Sequence, residues 1–250
     1  MSERRFLVDP ADVDTESAMA WVRGDEHRHL TRVLRLRPGD EVSVFDGSGS
    51  GHHGRVDVIE PAATRVRLTG TDDRRVEPSF RLTLAQGIPH HERMEWLIQK
   101  TTELGVSRIV PVLAARSVPR SPGGRWERLE RWRRVAAEAT RQCGRRSIPE
   151  VAEPRSLAAV LREHPARPDL WRTILLEQEA GAPGFERPTG RREGLVIVGP
   201  EGGWDPAEVR EALAAGVAPV YLGPRVLRAE TAGVISVAIT MFLAGEMDGS

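Results

Sequence analysis

The 250-residue chain has one cysteine, Cys143, which excludes an internal disulfide and any metal site built on a cysteine cluster. Its seven histidines include the close pairs His27/His29, His52/His53 and His90/His91. None falls in a helical His-x-x-x-His spacing beside a carboxylate, so no metal is expected. Long apolar runs are missing too. The most apolar stretch, about 232–244, is shorter than the roughly 20 residues that span a bilayer. The opening Met1-Ser2-Glu3-Arg4-Arg5 leads into no apolar run, so neither a membrane segment nor a secretory signal is expected. The expectation is a globular cytoplasmic protein.

Lysine is almost absent as well: of 36 basic residues only Lys100 is not arginine. A GC-rich genome accounts for that bias as well as phosphate binding does, so the position of the charge carries more weight than its type. The formal net charge is zero, yet residues 1–72 hold 10 basic and 13 acidic side chains, residues 73–150 hold 16 and 9, and residues 151–250 hold 10 and 14. A middle segment of +7 between segments of −3 and −4 fits local contact with nucleic acid. A solvated helix face balanced elsewhere is the plainer alternative.

The patterning changes along the chain. Residues 25–36 have helical spacing with Leu30, Val33, Leu34 and Leu36 apolar, and Pro38-Gly39-Asp40 ends them. Strand-like alternation follows over 41–45, 54–59 and 64–69, separated by the glycine-rich 46–51 and by Pro61. Short strands joined by tight turns predict a small β-barrel over 1–72, and the charged 73–79 reads as a linker. From Phe80 strands alternate with helices: a strand to Gln86, a helix from about Glu92 to Leu104 stopped by Gly105, a strand over 108–113 and a long helix from Trp126 to Cys143. After a helix capped by Ser156 come strands over 171–177, 194–198 and 218–222, and an apolar helix over 229–244. An α/β domain with a mostly parallel sheet over 80–250 follows.

Two stretches stand out within it. Val198-Gly199-Pro200-Glu201-Gly202-Gly203 follows a buried strand and precedes a strong helix start, Asp205 with Pro206 and Glu208. Leu222-Gly223-Pro224-Arg225-Val226-Leu227-Arg228-Ala229-Glu230-Thr231-Ala232 repeats the arrangement with arginines added. Ligands of α/β sheets sit at such strand exits. The first loop has no Lys-Ser/Thr after it and no Gly-x-Gly-x-x-Gly, and Glu201 repels phosphate, so neither nucleotide fingerprint applies.

Four blocks carry a resemblance: Met94-Glu95-Trp96-Leu97-Ile98-Gln99-Lys100-Thr101-Thr102-Glu103-Leu104-Gly105-Val106, then Glu138-Ala139-Thr140-Arg141-Gln142-Cys143-Gly144-Arg145, and the two glycine loops. In order and spacing they resemble the RsmE family, bacterial 16S ribosomal RNA uracil-N3 methyltransferases of the SPOUT class. Departures are mild: Trp204 after the first loop, Val226 where isoleucine is usual, and the histidine pair before the Lys100 helix.

The resemblance implies a PUA-like β-barrel associated with RNA binding, followed by a SPOUT-type α/β domain with a trefoil knot and a mostly parallel sheet. It implies a homodimer, with the apolar last helix either a dimer contact or an internal core helix. The implied activity moves a methyl group from S-adenosyl-L-methionine to N3 of one uridine in 16S rRNA of the small ribosomal subunit. A related enzyme acting on another RNA or atom, and a non-catalytic RNA-binding assembly factor, are the alternatives. Cofactor contacts fall on Leu175, Leu176 and Glu177, on Gly199, Pro200, Glu201, Gly202 and Gly203, and on Leu222, Gly223, Val226, Leu227, Thr231 and Ala232. Glu201 faces the ligand or bonds its own loop. Arg228 with Arg225 is the electrostatic candidate beside the uracil carbonyls, and Glu230 is either a base or a carboxylate complementing a helix dipole. RNA contacts are expected at Arg32, Arg35, Lys100, Arg108, Arg116, Arg141 and Arg145. For Lys100 an i,i+3 pair with Glu103, and for Arg145 an ordinary helix-end position, are the plainer alternatives.

Overall fold

The computed structural model describes residues 4–89, 93–117, 125–176 and 183–247, with the side chains of 125 and 126 excepted. Its contacts divide the chain into two units, Met1–Glu77 with Thr140–Ile148, and Pro78–Ala139 with Pro149–Ser250. No helix among the described residues is long and apolar enough to cross a membrane.

The first unit contains β1 (Arg5–Leu7), β2 (Val13–Asp14), β3 (Met19–Arg23), α1 (Gly24–Arg28), β4 (Glu41–Phe45), β5 (Gly51–Ile59) and β6 (Ala63–Thr71). Its strands form one mixed sheet in the order β1-β4-β5-β6-β3-β2, parallel only between β1 and β4. The β-barrel expected here is built from this one mixed sheet, with β1 and β2 at the ends of its strand order, and Phe6, Val22, Leu30, Val44, Val56 and Val66 fill its core. The pairing of β5 with β6 shifts register at Gly54, where a Cβ would lie 2.6 Å from Val66 Cγ1 and 2.7 Å from the Arg67 carbonyl. Glycine permits that bulge.

The helix expected over 25–36 is shorter than its spacing suggests. After α1 the chain widens into a π-helical turn over His29–Val33, with Leu34 N–H donating to His29 O at 3.0 Å. The added residue rotates the apolar stripe off the core. Leu30 stays buried, whereas Val33 is 66% exposed and Leu34 faces outward with it.

Thr140–Ile148 joins this unit through buried charge. Arg145 pairs with Glu77 at 2.9 Å, whose other oxygen accepts the backbone N–H groups of Arg146 (2.6 Å) and Ser147 (2.9 Å). Asp72, 4% exposed, takes Arg74 Nη2 at 2.7 Å and has Arg146 Nη1 at 3.6 Å and Arg5 Nη1 at 3.9 Å. The stretch read as a linker therefore holds Glu77, a carboxylate that fastens a distant segment, next to Asp72, which meets the same segment through Arg146. The Arg74 hydrogen bonds hold the Asp72 carboxyl far below the ordinary carboxylate range, although burial opposes them.

The second unit contains β7 (Arg81–Gly87), α2 (Arg93–Glu103), β8 (Arg108–Val112), α3 (Arg125–Cys143, whose last residues belong to the first unit), β9 (Glu150–Val151) and α4 (Leu157–Glu163). It continues with β10 (Leu170–Leu175), β11 (Glu193–Val198), α5 (Pro206–Ala214), β12 (Ala218–Val220) and α6 (Ala229–Leu243). The sheet is wholly parallel in the order β12-β10-β11-β7-β8-β9. Near-continuous apolar runs such as Leu195–Val198 are buried, as strands covered on both faces must be. From the edge strand β12 the chain returns to lay α6 on α2, β7 and β11. Helix ends are marked in sequence: Ser156 caps α4, Asp205 and Glu208 close a capping box on α5, and Gly105, at φ +94°, follows α2. The buried Arg172 docks on the last carbonyls of two helices, His164 O after α4 (3.0 Å) and Ala215 O after α5 (2.7 Å). The negative ends of both helix dipoles meet its charge.

Removing the Asp72 charge leaves buried guanidinium groups uncompensated. Asp72→Asn is expected to destabilise the protein by about 3 kcal/mol at pH 7 in urea unfolding. Because the folded carboxyl is held below its ordinary value of 3.8, that contribution is fully present above about pH 4 and is lost as the pH falls further. The difference between wild type and variant should shrink over that acid range.

Candidate active site

Three neighbouring strands, β10, β11 and β12, end at one edge of the parallel sheet, their last pairings being Ile174 with Ile197 and Leu175 with Val220. The loops that leave them enclose a cavity of about 290 Å³. Leu175 and Leu176 come from the first, Val198 to Trp204 from the second, and Tyr221 to Ala232 from the third.

The middle loop is pressed onto the sheet. A Cβ on Gly87, at the end of β7, would lie 2.3 Å from Pro200 N and 2.7 Å from Gly199 C, so only glycine admits this approach. Gly203, at φ +68°, closes the turn by donating its N–H to Pro200 O at 3.0 Å. The indole of Trp204 lies over Gly199, with Nε1 3.2 Å from where a Cβ would stand. That side chain is 8% exposed and its Nε1–H has no hydrogen-bond partner. The N–H groups opening α5 are taken up by its own capping box. This loop is therefore not a phosphate nest, in keeping with Glu201 within it.

The third loop turns at Gly223, at φ +80°, and enters α6 through Arg228, the N-cap residue, whose side chain does not bond the helix. The first turn of α6 is thus without a side-chain cap beside the cavity, where Ala229 and Ala232 form part of the wall. Arg225 and Arg228 are exposed at the rim.

Most of the residues expected around a cofactor converge here. Leu175, Leu176, Gly199, Pro200, Glu201 and Gly203 line the cavity, as do Leu222, Gly223, Val226, Leu227 and Ala232. Val226 does so from the surface, at 80% exposure. Gly202 and Thr231 are not in the lining; a Cβ on Gly202 would lie 2.9 Å from Arg116 O, so it packs against that backbone instead. Glu177 lies outside the described residues. Glu230 stands apart from the other catalytic candidates: it is buried, absent from the lining, and its Oε1 lies 3.6 Å from Arg93 Nε. Sequence reasoning missed Val198, Trp204, Tyr221 and Ala229 as wall residues. Tyr221 is the sole tyrosine of the chain, and Trp204 stood out only as a departure from a motif.

The basic residues expected to contact RNA fall in both units. Arg32 and Arg35 are exposed on the first unit, Arg35 at φ +52°. Arg141 pairs with Glu26 at 3.0 Å. Arg145 is 5% exposed and committed to Glu77, so burial removes it as a surface phosphate ligand. In the second unit Lys100 pairs with Glu103 at 2.9 Å, and Arg108 lies between Glu150 (3.1 Å) and Glu163 (3.4 Å). Arg116 is exposed, 3.8 Å from Asp205. Among the described residues no group of three His, Cys, Asp or Glu side chains is placed to hold a metal ion.

Comparison with known proteins places this geometry. Residues 76–241 match the family model of an RNA methyltransferase domain, and residues 22–61 that of an RNA methyltransferase PUA domain. Ribosomal RNA small subunit methyltransferase E of Synechocystis is 33% identical over 94% of this chain and 76% of its own. Its counterpart in Mycobacterium tuberculosis is 32% identical over 98% of this chain and 94% of its own. Among solved structures, ribosomal RNA small subunit methyltransferase E from Neisseria gonorrhoeae bound to S-adenosyl methionine superposes with a TM-score of 0.84. It is 31% identical, over 96% of this chain and 98% of that one. A putative methyltransferase from Legionella pneumophila in complex with the same cofactor gives 0.83 at 26% identity, over 97% and 98%.

The contact between Gly87 and the middle loop is open to a direct test. Gly87→Ala is expected to destabilise the protein by about 1–3 kcal/mol through overpacking, measured by urea unfolding. Gly184→Ala, whose Cβ meets nothing within 4 Å, is the control expected to lie near wild type.

Proposed function

The chain belongs to the RsmE family of RNA methyltransferases, and from that premise we propose that it methylates N3 of one uridine in the 16S rRNA of the small ribosomal subunit, with S-adenosylmethionine as donor. The observation that carries the proposal is the cavity where three parallel strands end, apolar within and edged by Arg225 and Arg228. Its residues fit the donor. Leu176, Leu222 and Leu227 offer apolar surface to a flat ring, while the glycine backbone supplies polar contacts without bulk.

When bound, S-adenosylmethionine supplies a strongly electrophilic methyl group on a sulfonium sulfur. The chain's own part is alignment and charge. Methylation at N3 forms an N3–C bond as the methyl–sulfur bond breaks, its electron pair remaining on sulfur as a neutral thioether, and the imide proton of uracil leaves to solvent. Arg228, with Arg225 beside it, stabilises the negative charge that develops on the uracil carbonyl oxygens. Glu230 acts through Arg93 and not as a base, since it is buried outside the lining.

The same reading assigns 1–72 to RNA binding, 73–79 to the connection and 80–250 to methyl transfer, with exposed Arg32 and Arg35 meeting phosphates. It makes the protein a cytoplasmic homodimer. The supporting surface is apolar: Ile235 and Phe242 of α6 and Trp96 of α2 are all exposed.

Mass spectrometry of 16S rRNA from a deletion strain should show loss of one 3-methyluridine; an unchanged signal would exclude the assignment. Calorimetry of the purified protein should show S-adenosylmethionine binding, and absence of binding at millimolar ligand would exclude an enzyme of this class. Arg228→Ala is expected to slow transfer by about 100-fold with cofactor affinity largely kept. Loss of cofactor binding instead would place that arginine in the wrong role.

A further inference from the structure

We infer that Gln86 and Arg93 are positioning residues that hold the two walls of the cavity, the Gly199–Gly203 loop and the first turn of α6, at the separation S-adenosylmethionine requires. The inference rests on the cofactor reading above. Gln86 sits at the end of β7, fully buried among apolar strands. A primary amide there is costly unless bonded, and an apolar side chain would suit the core better. Its Nε2 donates to Gly87 O at 3.0 Å and reaches Gly199 O at 3.3 Å and Ala229 O at 3.5 Å. The last two carbonyls belong to two different segments of the cavity lining, the middle loop and the first turn of α6.

Arg93, the first residue of α2, repeats the bridge with charge. Its Nη1 lies 3.2 Å from Glu201 Oε1 in the loop, and its Nε lies 3.6 Å from Glu230 Oε1 in the first turn of α6. The guanidinium fork serves both carboxylates at once, which an ammonium of one charge centre cannot do as well. Two side chains from different elements thus join the same two walls, one in the core and one nearer the surface. The interior bridge has its own steric condition: a Cβ on Gly233 of α6 would fall 2.3 Å from Gln86 Oε1. With either bridge removed, the walls must be ordered by the ligand itself, and apparent affinity falls by the fraction of protein holding the right spacing.

Calorimetric titration with S-adenosylmethionine, together with steady-state methylation of small ribosomal subunits, compares wild type with Gln86→Met, Arg93→Met and Arg93→Lys. Kd and KM for S-adenosylmethionine are expected to rise at least about tenfold in both methionine variants, with a smaller fall in rate at saturating cofactor. Arg93→Lys keeps one ion pair and should recover part of the affinity. Arg93 is partly exposed, so its variants keep the test decisive if Gln86→Met does not fold. Wild-type Kd in a folded methionine variant, even one of lowered unfolding midpoint, overturns the inference, as does a loss confined to kcat. A wild-type protein that takes up no S-adenosylmethionine overturns the function proposed above and this inference with it.

Discussion

A sheet whose strands all run one way delivers every strand exit to the same edge, and the cavity is a consequence of that constraint. Parallel register aligns the ends of β10, β11 and β12 to within one residue, so their loops have nowhere to go but toward one another. The approach is then set by backbone, because glycine at 87 lets the loop at 199–200 lie directly on the end of β7. Gly194, where a Cβ would stand 2.7 Å from Phe80 Cζ, fixes the other end of β11 in the same way. Close packing of strands, more than any polar motif, decides where the loops can sit.

Charge follows a different logic from its distribution along the chain. The surplus of +7 over residues 73–150 looks like a surface for polyanions, yet much of it is neutralised in place. Arg74, Arg141, Arg145 and Arg146 meet Asp72, Glu26 and Glu77, carboxylates up to 115 positions away in the chain. Arg108, Arg131 and Arg133 meet glutamates within their own unit. Segment sums count residues that are near in sequence, whereas ion pairs form between residues near in space. Burial at Arg145 and Asp72 makes these pairs part of the fold, since a desolvated charge needs its partner.

The elements legible in the sequence were those with a local cause. Asp205, Pro206 and Glu208 announce α5 because a capping box is made within four residues, and Gly105 announces the end of α2 for a similar reason. Strands β1 and β2 left no such mark: at three and two residues they are too short for alternation to register. The π-helical turn over His29–Val33 defeated a spacing argument that assumes 3.6 residues per turn. The glycine loops of the cavity were legible from glycine content and strand context. Gln86 was not, because one amide at the end of an apolar strand gains meaning only from the carbonyls that fold back upon it.

The two acids beside the cavity bear on how such a site divides its work. Glu201 and Glu230 share one guanidinium, and Glu230 is buried with an oxygen that has no hydrogen-bond partner. A carboxylate so placed has neither the reach nor the solvent access to carry a proton from a substrate. On the proposed chemistry that deficiency is without consequence, because an electrophilic donor and a weakly acidic imide need alignment and charge more than a dedicated base. Rigid walls then matter more than reactive groups. On that reading the buried Gln86 serves wall spacing, and the exposed Arg225 and Arg228 are left for the substrate.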